Sequence, residues 1–202
     1  MISATSSLRV SRKHFLSLAG GSLALMLSAC SSSKDSLAGQ ADAGDGKGYI
    51  AGDGSVTEYS KDQRSEPVEF TGELFDGTEV AASSLRGKPL LLNFWYAGCA
   101  PCRAEAPHLN ELYEQFKDKV HFYGANVRDE KGTAEAFEKN FKVDYPSFKD
   151  SSGKVLLQLS KYVPAQAVPT TLIIDQEGRV AARILGQLDQ SIVRTLLEDA
   201  TA

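Results

Sequence analysis

The sequence predicts an α/β fold in which helices flank a mixed central sheet, and three observations support this prediction. Residues 90–95 (LLLNFW) form a mainly apolar run, which is typical of a strand covered on both faces. Residues 100–117 place apolar side chains at the spacing of an amphipathic helix. The segments after residue 67 follow the order βαβα and then ββα, and this order gives an α/β sandwich with a mixed sheet.

The first half of this fold carries clear turn and helix-breaking signals. Asp76-Gly77 is a strong hairpin pair between two predicted strands, so we expect an N-terminal hairpin. Pro107 removes one backbone hydrogen bond inside the first helix, and a kink is expected there. In chain order, the predicted elements are strands over 68–71 and 79–80, a turn over 84–88, the strand over 90–95, the helix over 100–117 and a strand over 120–127.

The second half is predicted from helix caps and apolar spacing. Thr133 is the expected N-cap of a helix that runs to Phe141 and turns Ala136 and Phe137 inward, and Asp189 caps the last helix. The elements between these helices are an extended piece over 146–148, a short helix over 155–161, and a hairpin with strands over 170–175 and 179–185. Four large apolar residues are the predicted core: Phe70, Phe94, Phe122 and Leu172.

The N-terminal segment is typical of an export signal rather than of a folded element. Arg9, Arg12 and Lys13 precede an uncharged, mainly apolar run over 15–29 that is too short to span a bilayer comfortably. The run ends in Leu-Ser-Ala-Cys at Cys30, which resembles the lipobox of bacterial lipoproteins, whose cysteine is lipidated and becomes the mature N-terminus. An ordinary cleaved signal and an uncleaved anchor are the alternatives. Residues 11–16 also resemble a twin-arginine signal, with Lys13 replacing the second arginine, so the export route stays open.

These features predict three regions along the chain. They are a signal peptide over 1–29, the lipidated Cys30 with a flexible linker to residue 66, and a globular domain over 67–202. Residues 56–59 are a candidate for a short extended piece within the linker. We therefore expect a protein anchored in the lipid membrane through Cys30 on its extracytoplasmic side, where disulfides persist.

Charge argues against one class of partner. Residues 1–29 carry three basic and no acidic side chains, so their removal lowers the net charge from −4 to −7. A domain of this acidity is a poor ligand for nucleic acid, because the phosphate backbone is itself negative. We therefore predict no nucleic-acid partner.

Cys99 and Cys102 carry the strongest chemical signal in the chain. Two cysteines separated by two residues, after a strand and at the start of a helix, predict thiol–disulfide exchange. The helix start stabilises a thiolate on the first cysteine, and Pro101 fits the first helical turn. Half of a zinc site is one alternative, but it needs two more ligands. A purely structural disulfide is the other alternative.

Several motifs beyond the two cysteines resemble the TlpA/ResA-type thioredoxin-like thiol–disulfide oxidoreductases over residues 67–200. The residues that carry this resemblance are Leu85-Arg86-Gly87-Lys88, Asn93-Phe94-Trp95, Cys99-Ala100-Pro101-Cys102, Pro107, Val168-Pro169-Thr170-Thr171 and Ile174-Asp175. The resemblance implies a thioredoxin-like fold. It also implies that residues 144–163 form the central, helix-containing insertion of this branch.

The resemblance also assigns roles to single residues. Cys99 is the implied attacking thiol, and Cys102 is the resolving thiol that completes a redox-active disulfide. Glu105 matches an acidic residue beside the disulfide, which would have a raised pKa and take the proton of Cys102. Asn93 stands where ordinary thioredoxins have a buried aspartate. The same resemblance implies that Trp95 shapes the surface beside Cys99; a core aromatic is its alternative role, and the two roles are compatible.

Val168 and Pro169 resemble the cis-proline loop that faces the cysteines in this family. Such a loop implies that the Val168 backbone pairs with an extended substrate strand. Trp95, Val168 and Pro169 are therefore the predicted substrate-binding residues. His108 and His121 are interpreted as surface or packing residues rather than as catalysts.

The function implied by the resemblance is reduction of protein disulfides outside the cytoplasmic membrane. Its implied substrates are protein disulfides such as the haem-site cysteines of apocytochrome c, and a membrane thiol relay supplies the electrons. No cofactor beyond the Cys99–Cys102 disulfide and no metal are expected. A general disulfide oxidase or isomerase remains an alternative, because the sequence does not determine the redox direction or potential.

Three further classes fit the sequence less well. A peroxiredoxin-type peroxidase would need a Thr-x-x-Cys motif, which is absent. A Sco-like copper-binding chaperone would need Cys-x-x-x-Cys and a distant histidine, whereas this chain has Cys-x-x-Cys. A non-catalytic interaction module is the third alternative.

Overall fold

The computed structural model describes residues 55–202 of the chain. A 3-10 helix at Ala82–Leu85 precedes the central strand. The strands are β1 (Ser55–Glu58), β2 (Thr71–Glu73), β3 (Glu79–Ala81), β4 (Leu90–Trp95), β5 (His121–Asn126), β6 (Ser147–Lys149), β7 (Thr170–Ile174) and β8 (Val180–Leu185). The α-helices are α1 (Ala100–Phe116), α2 (Lys131–Phe141), α3 (Lys154–Gln158) and α4 (Gln190–Thr201).

Six of these strands form one mixed sheet in the order β1-β8-β7-β4-β5-β6. Strands β4, β5 and β6 run parallel, whereas β7 is antiparallel to both β4 and β8. The remaining strands, β2 and β3, pair as the predicted hairpin, although its first strand begins at Thr71 rather than at residue 68. The predicted mixed sheet with flanking helices and an N-terminal hairpin is therefore confirmed.

The edge strand β1 changes the predicted start of the domain. It pairs antiparallel with β8, and Val56 lies opposite Ile184. The linker predicted for residues 30–66 therefore ends earlier, since its last part contributes a strand to the main sheet. This strand lies where the sequence predicted a short extended piece over 56–59, one residue earlier at each end; its pairing was not predicted, because β8 lies more than 120 residues away in the sequence. The predicted signal peptide and Cys30 lie outside the described residues.

The start of helix α2 also differs from the prediction. Thr133 is not its N-cap, because the helix begins at Lys131 after Glu130. This shift turns Ala134 and Phe137 inward, three residues apart, and leaves Ala136 exposed. By contrast, Asp189 caps α4 as predicted, and its carboxylate accepts the backbone N–H groups of Ser191 and Ile192.

The central strand β4 separates two layers of core. Its side chains alternate, and Leu90, Leu92 and Phe94 face the layer that contains Phe70 and Phe148. Leu91 faces the layer built by α1, α4 and Phe122. All four predicted core residues are buried: Phe70, Phe94, Phe122 and Leu172. The same alternation places Asn93 and Trp95 on the face of the sheet that α1 covers.

Strand β6 and helix α3 form the predicted central insertion, and β6 extends the sheet beyond β5. Helix α3 ends at Gln158, earlier than predicted. Within residues 55–202, no helix combines the length and the apolar character that crossing a bilayer requires.

Candidate active site

Cys99 and Cys102 form a disulfide at the start of helix α1. Cys99 is the N-cap residue, and its sulfur accepts the backbone N–H of Cys102 at 3.2 Å. Pro101 lies in the first turn, where its missing N–H leaves no helical hydrogen bond unmade. The free N–H groups and the dipole of a helix start favour negative charge, so they stabilise a thiolate on Cys99 once the disulfide opens.

The disulfide is buried in this state. Cys99 is 0% exposed and Cys102 is 2% exposed, whereas the neighbouring Gly98 and Ala100 are exposed. An attacking thiolate must contact the sulfur that it attacks. Exchange at Cys99 therefore requires the exposed tip of this loop to move aside.

Asp129 stabilises the loop that precedes Cys99 through hydrogen bonds. Its Oδ2 accepts the Ala97 backbone N–H at 2.6 Å and the Asn126 side-chain amide at 2.8 Å. Asn126 ends β5 directly beside Trp95 at the end of β4. Neither residue was predicted from the sequence, although an asparagine at the end of a strand, followed by an aspartate three residues later, is a signal for a hydrogen-bonded turn.

The loop of Val168 and Pro169 lies opposite the disulfide, as the resemblance implied. The Val168 carbonyl oxygen is 3.8 Å from the Cys99 sulfur, and the Val168–Pro169 peptide bond is cis. The Pro169 carbonyl accepts the Gly186 N–H at 2.8 Å, which ties this loop to the end of β8. Pairing of the Val168 backbone with a substrate strand stays a prediction.

Trp95 packs behind the disulfide rather than beside it on the surface. It is 4% exposed and belongs to the same apolar cluster as Cys99 and Cys102. Its ring centroid lies 4.5 Å from that of Phe137. The burial of Trp95 agrees with its predicted role as a core aromatic, and little exposed area is left for the predicted surface role.

Glu105 lies one helical turn after Cys102 and is completely buried. Its Oε1 accepts the Asn93 side-chain amide at 2.8 Å, and its Oε2 accepts the Leu188 backbone N–H at 3.1 Å. The Asn93 amide also donates to the Thr171 hydroxyl at 3.0 Å. Asn93 therefore orients the carboxyl group of Glu105 instead of supplying an acid of its own.

Burial changes the acidity of Glu105. Loss of hydration raises the pKa of Glu105 from 4.5 to about 8, although the hydrogen bonds from Leu188 and Asn93 act in the opposite direction. At pH 7 the group is therefore mostly protonated in the disulfide state. An acid with a pKa near the working pH can both donate a proton to a leaving thiolate and accept one from a thiol.

The two histidines within residues 55–202 lie in positions that suit packing. His108 is half-buried on α1, and His121 begins β5, at the opposite end of that strand from Asn126. Desolvation and then the charge of Lys88 lower the pKa of His121. Among residues 55–202, no three His, Cys, Asp or Glu side chains are grouped as a metal site would require.

Comparison with known proteins agrees with this geometry. Residues 65–183 match the profile of the AhpC/TSA family, which is more than half of the chain. The chain belongs to the AhpC/TSA family. Within this family, it is 31% identical to the thiol-disulfide oxidoreductase ResA of Bacillus subtilis over 145 residues, which cover 71% of this chain and 76% of ResA. It is 33% identical to ResA of Geobacillus thermodenitrificans over 66% of this chain and 75% of that protein.

Solved structures of proteins similar to this AhpC/TSA family member show the same fold. A DsbF homologue from Corynebacterium diphtheriae superimposes with a TM-score of 0.64 at 30% identity, covering 73% of this chain and 94% of the homologue. A secreted thiol-disulfide isomerase from Corynebacterium glutamicum gives a TM-score of 0.63 at 28% identity, covering 74% and 92%. The predicted thioredoxin-like fold is confirmed, and the chain is a thiol–disulfide oxidoreductase similar to ResA.

Proposed function

We propose that this protein reduces protein disulfides outside the cytoplasmic membrane, including the disulfide of apocytochrome c haem-site cysteines. The observation that carries the proposal is the buried Glu105 one turn after Cys102. A carboxylate repels a nearby thiolate and so raises the pKa of the thiol. A dithiol whose thiolates are poorly stabilised gives up its electrons readily, whereas a strong oxidant such as DsbA has a stabilised reduced form.

The exchange follows from the two sulfur environments. The Cys99 thiolate attacks a sulfur of the substrate disulfide, a mixed disulfide forms, and the first substrate thiolate leaves. Cys102 then loses its proton to the Glu105 carboxylate and attacks the Cys99 sulfur. The Cys99–Cys102 disulfide forms, and the second substrate thiolate leaves and takes a proton from water. Two electrons pass from the protein dithiol to the substrate.

The proposed setting includes two partners. Cys30 carries lipid and holds the domain at the extracytoplasmic membrane surface. A membrane thiol relay reduces the Cys99–Cys102 disulfide after each turnover, because the reaction leaves the protein oxidised. The lipobox-like sequence at Cys30 supports the anchor, and the need to regenerate the dithiol after each turnover supports the relay.

The midpoint potential of the Cys99–Cys102 couple tests the proposed direction. We expect equilibration with redox buffers to give a midpoint potential well below that of DsbA, which is about −120 mV. The reduced protein should also reduce a disulfide-bonded Cys-x-x-Cys-His peptide, and Cys99→Ser should not. A DsbA-like potential would instead indicate an oxidase, and reduction of insulin but not of the peptide would indicate a general reductase.

A further inference from the structure

The segments that surround the disulfide are uncharged. The strand and loop that lead to Cys102 (89–102), the segment with the cis proline (162–174) and the turn before α4 (184–188) contain no charged side chain. Residues 55–202 as a whole carry many charges, with 22 acidic and 17 basic side chains. A charged group at the edge of this neutral surface therefore influences which partners bind there.

Arg103 is such a group. It follows Cys102 directly on α1 and is exposed. Its Nη1 atom donates to the Ala97 carbonyl oxygen at 3.4 Å, and its guanidinium carbon lies 5.0 Å from the centroid of the Phe141 ring. These two contacts hold the positive charge beside the loop that precedes Cys99, so less side-chain entropy is lost when Arg103 binds a ligand.

Arg128 and Asp129 also contact this loop. Arg128 is exposed, and its guanidinium carbon lies 4.1 Å from the centroid of the Tyr96 ring. The Asp129 carboxylate is half-buried and accepts hydrogen bonds from the Ala97 N–H and the Asn126 amide. The exposed charges held at this loop are therefore positive, in contrast to the acidic domain.

We propose that Arg103 selects substrates whose disulfide is flanked by acidic side chains. A substrate carboxylate forms an ion pair with the Arg103 guanidinium while the substrate disulfide faces Cys99. An ion pair at the surface is weak, but it distinguishes acidic from basic sequences next to the same disulfide. This inference gives the class of substrate for the proposed function. It rests on exchange at Cys99 and not on the proposed direction of electron flow.

The test compares three peptides with the same pair of cysteines. The residues that flank the cysteines are glutamate in the acidic peptide, glutamine in the neutral peptide and lysine in the basic peptide. The second-order rate constant of exchange is measured at pH 7 and low salt through the fluorescence of Trp95, the single tryptophan of the chain. Oxidised peptides are mixed with reduced protein and reduced peptides with oxidised protein, so the comparison holds for either redox direction. Each rate constant is divided by that of the same peptide with a small uncharged thiol or disulfide, which corrects for the reactivity of the peptide itself.

We expect the wild-type protein to favour the acidic over the basic peptide about fivefold, which corresponds to a favourable exposed ion pair. Arg103→Gln should lower this ratio to about twofold or less. Arg103→Lys should retain the preference, because the positive charge remains. High salt should remove the preference of the wild-type protein, since exposed charges are screened.

Arg86→Gln is the matched control, because it removes the same charge far from the disulfide. The Arg86 guanidinium pairs with Glu69 and lies near Gly178, which follows β7 at the end of the sheet opposite Cys99. This variant should keep the wild-type ratio.

Equal rate constants for the three peptides, or a wild-type ratio in folded Arg103→Gln, would overturn the inference. An equal loss of preference in Arg86→Gln would also overturn it, because net charge alone would then explain the preference. A DsbA-like midpoint potential together with an intact preference would overturn the proposed redox direction and support the role of Arg103.

Discussion

The two cysteines differ at the level of single hydrogen bonds. The Cys99 sulfur accepts a backbone N–H at the helix start, whereas Cys102 lies one helical turn from the buried carboxyl group of Glu105. A helix start lowers the pKa of a thiol, and a buried carboxylate raises it. Cys99 is therefore the nucleophile toward substrate, and Cys102 needs a base before it can attack.

Serine variants should separate these two roles. We expect Cys99→Ser to abolish exchange, because no thiolate remains at the helix start. Cys102→Ser should instead trap a mixed disulfide with substrate, since the resolving thiol is absent. Non-reducing gels and mass spectrometry measure both outcomes. Limiting iodoacetamide should alkylate Cys99 first in the reduced wild-type protein, and preferential alkylation of Cys102 would reverse the assignment.

Glu105 should make both exchange and stability depend on pH. The rate of the Cys102 step should rise through a pKa of about 8 as the carboxylate forms, and Glu105→Gln should remove this inflection because an amide does not titrate. Stopped-flow measurements on both proteins from pH 6 to 9 test this. An unchanged profile in Glu105→Gln would show that Glu105 has no part in the proton transfer.

The same residue predicts a loss of stability at alkaline pH. Between pH 4.5 and about 8 the unfolded chain releases the Glu105 proton, whereas the folded protein retains it. Stability therefore falls as pH rises through this window, by at most about 5 kcal/mol. In Glu105→Gln, the stability should no longer fall with pH across this window. The variant should also be less stable than the wild type at pH 5, because an amide has one acceptor oxygen for the two hydrogen bonds from Asn93 and Leu188. Urea unfolding at pH 5 and 9 tests both effects, and parallel curves would contradict them.

At the level of elements, the site depends on close contact between β5 and β4. Gly124 of β5 lies against the indole of Trp95, and a Cβ at this position would be 2.6 Å from the Trp95 nitrogen. It would also overlap the Ser147 hydroxyl on β6. Glycine is therefore required here by close packing of three strands, and Trp95 in turn supports the two cysteines.

Gly124→Ala should accordingly destabilise the protein by about 1–3 kcal/mol, since the neighbouring groups have to shift. The fluorescence of Trp95 should change as well, because the overlap falls on its ring. Gly132→Ala is the control: it lies in α2 with nothing near its missing Cβ, so it should stabilise by up to about 1 kcal/mol. Denaturant unfolding of both variants measures the difference. Similar effects in both would contradict the packing argument.

At the level of the whole molecule, the proposed anchor determines where the oxidoreductase works. Cys30→Ala should prevent acylation and remove the protein from the membrane fraction of cells, because no other lipid attachment is proposed. Cys102→Ser is the control, since it removes a cysteine and leaves the lipobox intact. Mass spectrometry of the fractionated protein gives the result. A Cys30→Ala protein that remains in the membrane with residues 15–29 intact would indicate an uncleaved anchor instead.

Much of the fold follows from local signals in the sequence. Strand β4 has the predicted bounds, and Asp189 caps its helix because capping involves only the next three residues. Local signals were wrong about the start of helix α2, where both Thr133 and Glu130 are possible N-cap residues. The burial of Ala134 and Phe137 decides for Glu130, and burial is a tertiary property. At β1, local signals indicated an extended piece over 56–59 but not its place in the sheet, because the partner strand β8 lies more than 120 residues away in the sequence.

The sequence by itself determined the chemistry of this protein, since Cys99, Pro101 and Cys102 define a redox site within four consecutive residues. The tertiary structure decided the acidity of that site. Glu105 titrates near pH 8 because Leu188, 83 residues later, and the surrounding core bury it completely. Dehydration depends on every atom packed around a group, and those atoms come from strands and loops that are distant in the chain.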